Sequence, residues 1–109
     1  MSPIKNIEKV AAQSVNIRNL IGEQILQTPC LATRESFPNE TLVYLKTENF
    51  QHTGSFKIRG AISKLKHISR DSALITASSG NHGIACSHAA MVTGHNLTVV
   101  LPENVAKSK

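Results

Sequence analysis

Residues 73–103 narrow the folds open to this chain more than any other stretch. ALITASS (73–79) and LTVVLPE (97–103) each open on an almost wholly apolar run rich in residues that favour extended backbone, and both read as strands. Between them NHGIACSHAAMVTG (81–94) reads as a helix, with Gly94 where a helix C-terminus takes left-handed backbone. Strand, helix and strand on short connections make a βαβ unit, which implies a parallel pair and a right-handed crossover. The near-continuous apolar character of both strands predicts a sheet covered on both faces.

The residues before this unit continue the alternation. Ile7, Val10, Ala11, Ile17, Leu20, Ile21 and Ile25 recur close to helical spacing and predict a helix over about 5–26. QTP (27–29) stops it, because Pro29 disfavours helical backbone at Thr28. SFPNE (36–40) is a loop and TLVYLKTE (41–48) a strand. A second helix is expected over about 55–68, with Ile58, Ala61, Ile62 and Leu65 on its apolar face. The fold class is therefore α/β: an open, mostly parallel twisted sheet with flanking helices. Three strands leave unpaired edges, and ENVAKSK (103–109) reads as the start of another helix, so the domain reads as incomplete.

Composition excludes several classes of function. With 40% hydrophobic and 17% charged residues among 109, the chain suits one modest globular domain rather than a disordered segment. No apolar run is long enough to span a membrane. The N-terminus, MSPIKNIEKV, lacks the apolar core of a secretory signal, so a cytoplasmic location is expected. There Cys30 and Cys86 are expected to be reduced and structural, and no metal-ligand spacing is present. The net charge of +5 comes from scattered basic residues with no aromatic series between them, so nucleic acid is not an expected partner. The mild basic excess around 57–70 suits an anionic small molecule.

In open α/β sheets ligands bind at the carboxyl ends of the strands. Two stretches fall there: NFQHTGSFK (49–57) and SSGNHG (78–83). The second has glycines for tight turns, short polar side chains, and the free amides of a helix start, which accept a carboxylate or phosphate. It reads equally well as a polar loop that merely caps the helix. Neither standard phosphate-loop motif is present. Lys57, beside Phe56 and Arg59 in the first turn of its helix, has three readings: a lysine snorkelling to water, a phosphate-binding charge, or a nucleophilic amine shielded by Phe56. Gly54 and Ser55 read as the turn and cap ahead of it.

LKTENFQHTGSFKIRGA (45–61) followed by TASSGNHG (76–83) resembles the N-terminal part of the fold-type II pyridoxal-phosphate enzymes. The nearest branch is the threonine/serine dehydratase and serine racemase family. TPCLATRE (28–35), with Cys30 where leucine is usual, and TVVLPENVAKSK (98–109) extend the resemblance over about residues 25–109. It implies pyridoxal phosphate as cofactor, a small amino-acid substrate and a homo-oligomer in the intact family.

Residue by residue, Lys57 matches the lysine that holds the cofactor covalently and then takes the Cα proton. Phe56 matches the aromatic packed beside the cofactor, and Asn81 the asparagine bonded to its phenolic oxygen. Ser78, Ser79, Gly80, Asn81 and His82 match the loop that receives the substrate carboxylate. In the racemase branch the residue matching Ser79 is the acid/base on the opposite face of the cofactor.

The implied activity is an ammonia-lyase that turns threonine- or serine-type hydroxy amino acids into a 2-oxo acid and ammonia. The alternatives are serine racemase-type activity, or a non-catalytic remnant that pairs its exposed sheet edge with another chain or with itself. The resemblance assigns 1–48 to the larger cofactor domain and 49–109 to the first part of the smaller domain. The family's glycine-rich phosphate loop and the rest of both domains lie outside these 109 residues, so the chain alone is expected to bind the cofactor weakly and to be inactive.

Overall fold

A computed structural model of the chain describes residues 3–105 and residue 107. Helix α1 (Pro3–Ile21) runs into a short 3-10 turn at Gly22–Gln24. It is followed by strand β1 (Cys30–Ala32), strand β2 (Tyr44–Lys46) and helix α2 (Lys57–Leu65). Strand β3 (Ala73–Ala77), helix α3 (Asn81–Thr93) and strand β4 (Asn96–Val100) follow, and two further 3-10 turns stand at Pro38–Glu40 and Glu48–Phe50. The class is α/β, with small sheets and flanking helices. Among the described residues no helix is long and apolar enough to cross a membrane.

β3 and β4 pair in parallel, with Ala73 opposite Asn96 and Ala77 opposite Val100, linked by α3 as the βαβ pattern requires. Gly94 ends α3 in left-handed backbone (φ +73°), and its N–H donates to the Ala90 carbonyl. The core is the seam between α2 and α3. Ile58, Ala61, Ile62 and Leu65 of α2 are buried against Ala85, Cys86, Ala89 and Ala90 of α3, with Leu74 and Leu97 packed beneath. The alanines let the two helices approach closely, so most of the volume of the seam comes from α2. A Cβ built on Gly83 would lie 3.0 Å from the Ser78 carbonyl oxygen and 3.3 Å from Val99 Cγ1, so that position needs glycine to bring α3 onto β4.

Three expectations need correction. β2 is not the first strand of a three-stranded parallel sheet. It pairs antiparallel with β1, Cys30 opposite Lys46 and Ala32 opposite Tyr44, and the pairing continues from Thr33 N–H to the Val43 carbonyl and from Thr47 N–H to the Pro29 carbonyl. Three residues are too few to show a period of two, which hides β1 in the sequence. Nor is the parallel pair covered on both faces. Leu74, Thr76, Leu97 and Val99 are half-buried toward the helices, whereas Ile75 is 74% exposed and Val100 is also exposed, because both helices lie on one side. Finally, the helix expected over 5–26 gives way to 3-10 geometry at Gly22, where helical backbone is least favoured. Of α1's apolar positions, Ile7, Val10, Ile17 and Leu20 stay exposed and Ile21 is buried. Of the helix start expected over 103–109, the described residues 103, 104, 105 and 107 form turns or irregular backbone rather than helix, and 106, 108 and 109 lie outside those described.

Candidate functional site

The chain descends through α2, reverses at 66–72, ascends β3 and descends again through α3. The N-termini of α2 and α3 therefore share the carboxyl end of the β3–β4 sheet. A ring contact crosses this end: His52, ahead of α2, stacks on His88 in the second turn of α3, with centroids 5.7 Å apart. The two stretches singled out in the sequence thus lie on one edge of the molecule.

The first is built around Lys57, the opening residue of α2. Gln51 starts a turn in which Gly54 takes φ +70° and donates its N–H to the Gln51 carbonyl at 2.8 Å. Only glycine adopts that backbone without strain. Lys57 is exposed, and its Nζ stands 5.0 Å from the centroid of the Phe56 ring, itself 58% exposed. The shielding expected from Phe56 is absent, because the buried face of α2 begins at Ile58 and leaves 56 and 57 outside it. Ser55 does not cap the helix. Its buried Oγ has no hydrogen-bond partner, nor has Thr53 Oγ1.

In the second stretch Ser78 Oγ accepts the N–H groups of Gly83 (3.0 Å) and Gly80 (3.3 Å), so its hydroxyl oxygen closes the loop and caps α3. Ser79 and Asn81 are exposed. His82 turns back: its Nε2 lies 3.2 Å from Thr76 Oγ1 and 3.5 Å from Cys86 Sγ, so it ties the helix to β3 rather than facing the loop. Burial pushes the Cys86 thiol above its ordinary pKa.

Behind Lys57 lies a polar cluster that sequence reasoning missed. Glu48, with a side chain 14% exposed, accepts a fork from Arg59: Nη2 to Oε1 at 2.8 Å and Nε to Oε2 at 3.0 Å. Buried Thr28 donates its hydroxyl to the same Oε1 at 2.6 Å, and Lys46 Nζ donates to the Thr28 carbonyl. Buried Gln51 pairs with both backbone groups of Leu26, Oε1 taking its N–H at 3.0 Å and Nε2 giving to its carbonyl at 2.6 Å. The Arg59 fork, more than the Thr28 bond, holds the Glu48 carboxyl down at about 2, and Arg59 is raised in turn. Glu48, Gln51 and Arg59 all fall inside the motif at 45–61 and Thr28 opens the stretch at 28–35, but nothing in either assigns them to one another. Its members lie too far apart in sequence for periodicity to link them.

Residues 21–109 match the family described as pyridoxal-phosphate dependent enzyme. The L-threonine ammonia-lyase of Thermotoga maritima is 46% identical over 70 residues, 62% of this chain and 18% of that protein. Among solved structures, a pyridoxal 5'-phosphate-dependent aspartate racemase superposes with TM-score 0.76 at 33% identity, over 86% of this chain and 31% of that one. The serine racemase of Dictyostelium discoideum superposes with TM-score 0.72 at 37% identity, over 85% of this chain and 32% of that one. The chain spans less than a third of the length of each.

Proposed function

Because this chain belongs to the family of pyridoxal-phosphate dependent enzymes, we propose that it carries the lysine and substrate-loop part of an ammonia-lyase for threonine- and serine-type hydroxy amino acids. The observation that carries the reading is the exposed Lys57 on the same edge as the exposed Ser79 and Asn81. The residues present fit the cofactor. Lys57 offers an accessible amine beside an accessible aromatic ring, and the orphaned hydroxyls of Thr53 and Ser55 mark a polar turn ahead of it that the chain leaves unsatisfied.

When bound, pyridoxal phosphate supplies the electron-withdrawing ring that makes the amino acid's Cα proton acidic. Lys57 Nζ would hold the cofactor covalently and is the amine placed to accept that proton. The amides at the start of α3, with Ser79 and Asn81, hold the substrate carboxylate against the positive end of the helix dipole. Ser78 Oγ accepts the N–H groups of Gly80 and Gly83 and so fixes the loop around the remaining amides. Overall the hydroxyl leaves Cβ as water, and hydrolysis yields the 2-oxo acid and ammonia. The same reading assigns residues 1–48 to the larger domain of the family and 49–109 to the smaller.

A second reading, racemisation, is favoured by the exposed hydroxyl of Ser79 and by the likeness to two racemases. Adding pyridoxal phosphate, trapping with borohydride and mapping peptides by mass tests the common premise. The adduct should fall on Lys57 and vanish in Lys57→Ala. An intact fold with no adduct at Lys57 sinks both readings in favour of a non-catalytic remnant. Chiral analysis of serine incubated with this segment joined to the rest of the family's two domains, with and without Ser79→Ala, separates lyase from racemase.

A further inference from the structure

We propose that the Glu48–Arg59 fork, with Thr28 and Gln51, is a positioning clamp that fixes the direction of Lys57. The proposal rests on the reading of Lys57 as the cofactor lysine, and its test is arranged so that either can fail alone.

Lys57 begins α2 without help from a cap: Phe56 occupies the N-cap position and no side chain bonds the first amides there. Neither Phe56 nor Lys57 is buried: core packing holds α2 from Ile58 onward and does not reach these two side chains. What holds the turn that presents them is polar. Arg59 lies two residues beyond Lys57 on the same first turn, and its planar fork has one low-energy way to meet a carboxylate. Glu48 is in turn held by Thr28, which Pro29 and Lys46 tie to the β1–β2 hairpin. At the other end of the loop, Gln51 grips Leu26 by both backbone groups, as a neighbouring strand would, and starts the Gly54 turn. Residues 52–57 thus run between an anchor at 48–51, bonded directly to the segment 26–28, and an anchor at 59, joined to that segment through Glu48. A lysine that serves first as nucleophile and then as base must meet two atoms in sequence, and small errors of placement cost large factors in rate.

The test uses two lysines on one helix. Lys64 is exposed on α2, seven residues beyond Lys57, and serves as the internal standard. The chain is labelled with pyridoxal phosphate, reduced with borohydride, and the ratio of adduct at Lys57 to adduct at Lys64 is measured. This is done for wild type, Glu48→Gln, Arg59→Met, the double variant, and Ile62→Val as a control that loses stability without touching the clamp. The ratio should fall by on the order of tenfold in either single clamp variant, no further in the double variant, and not at all in Ile62→Val. A ratio unchanged in the clamp variants, or one that falls equally in Ile62→Val, overturns the proposal. Should wild type itself show no preference for Lys57, the cofactor-lysine reading fails. Amide exchange then decides the clamp alone. Exchange at Gln51 and Gly54, whose N–H groups are bonded within the loop, must accelerate relative to α3 amides in the clamp variants, and equal exchange refutes it.

Discussion

Glu48 makes the stability of this chain depend on acid in a way that a single substitution can isolate. Its carboxyl is held at about 2, against 4.5 for an unpaired glutamate, first by the Arg59 fork and then by the Thr28 hydroxyl. A group depressed in the folded state stabilises the fold fully above its unfolded pKa and loses that stabilisation as pH falls through the folded one. The window here therefore runs from about 4.5 down to about 2. The linkage converts to roughly 3 kcal/mol at pH 7, and partial exposure of Arg59 brings the working figure nearer 2 kcal/mol. Glu48→Gln keeps the shape and one acceptor but not the charge. Urea denaturation followed by circular dichroism, for wild type and Glu48→Gln at several pH values, should show a gap of about 2 kcal/mol at pH 7. More than half of that gap should be gone by about pH 3. Both proteins carry every other titrating group, so the difference belongs to Glu48. A gap that stays constant from pH 7 to pH 3, or that widens in acid, would refute the argument.

Two further outcomes follow from the packing. Gly83→Ala gains roughly 1 kcal/mol of helix propensity but drives a Cβ to 3.0 Å from the Ser78 carbonyl and 3.3 Å from Val99, at a strain of about 1–3 kcal/mol; a thermal melt should show net loss, and a rise in Tm would show that the approach is looser than described. A thiol reagent should modify exposed Cys30 at the rate of a free thiol and Cys86 at least about tenfold more slowly until denaturant is added; equal native rates would contradict the burial of Cys86.

What the sequence disclosed divides by distance along the chain. The β3–α3–β4 unit was legible because each part is local: two apolar runs, a helical stretch and a glycine at 94. The apolar face of α2 was legible for the same reason, although the helix begins at Lys57 rather than at 55, since Ser55 bonds to nothing. The partner of β2 was not, because strand pairing across a loop leaves no mark on either strand when one has three residues. Nor were Thr28, Glu48, Gln51 and Arg59 legible as a group. Each is an ordinary polar residue until the hairpin brings 26–28 beside 48–51. Lys57 and the 78–83 loop were singled out by motif and position, but His82's turn toward Thr76 depends on side-chain packing that no spacing encodes.

The spacing of the clamp also sets an order of events during folding. Thr28 meets Glu48 across 20 residues, and Gln51 meets Leu26 across 25. Both loops enclose the β1–β2 hairpin. Once that hairpin zips, most of the closure entropy has been spent, and extending the closed loop by a few residues adds only a small fraction of the roughly 0.6 kcal/mol that a doubling of length would take. The Lys57 turn is therefore ordered late, after a hairpin with which it shares no residue. Changes at Leu31 or Leu45, opposite one another in that hairpin, should delay the ordering of the Lys57 turn without touching it.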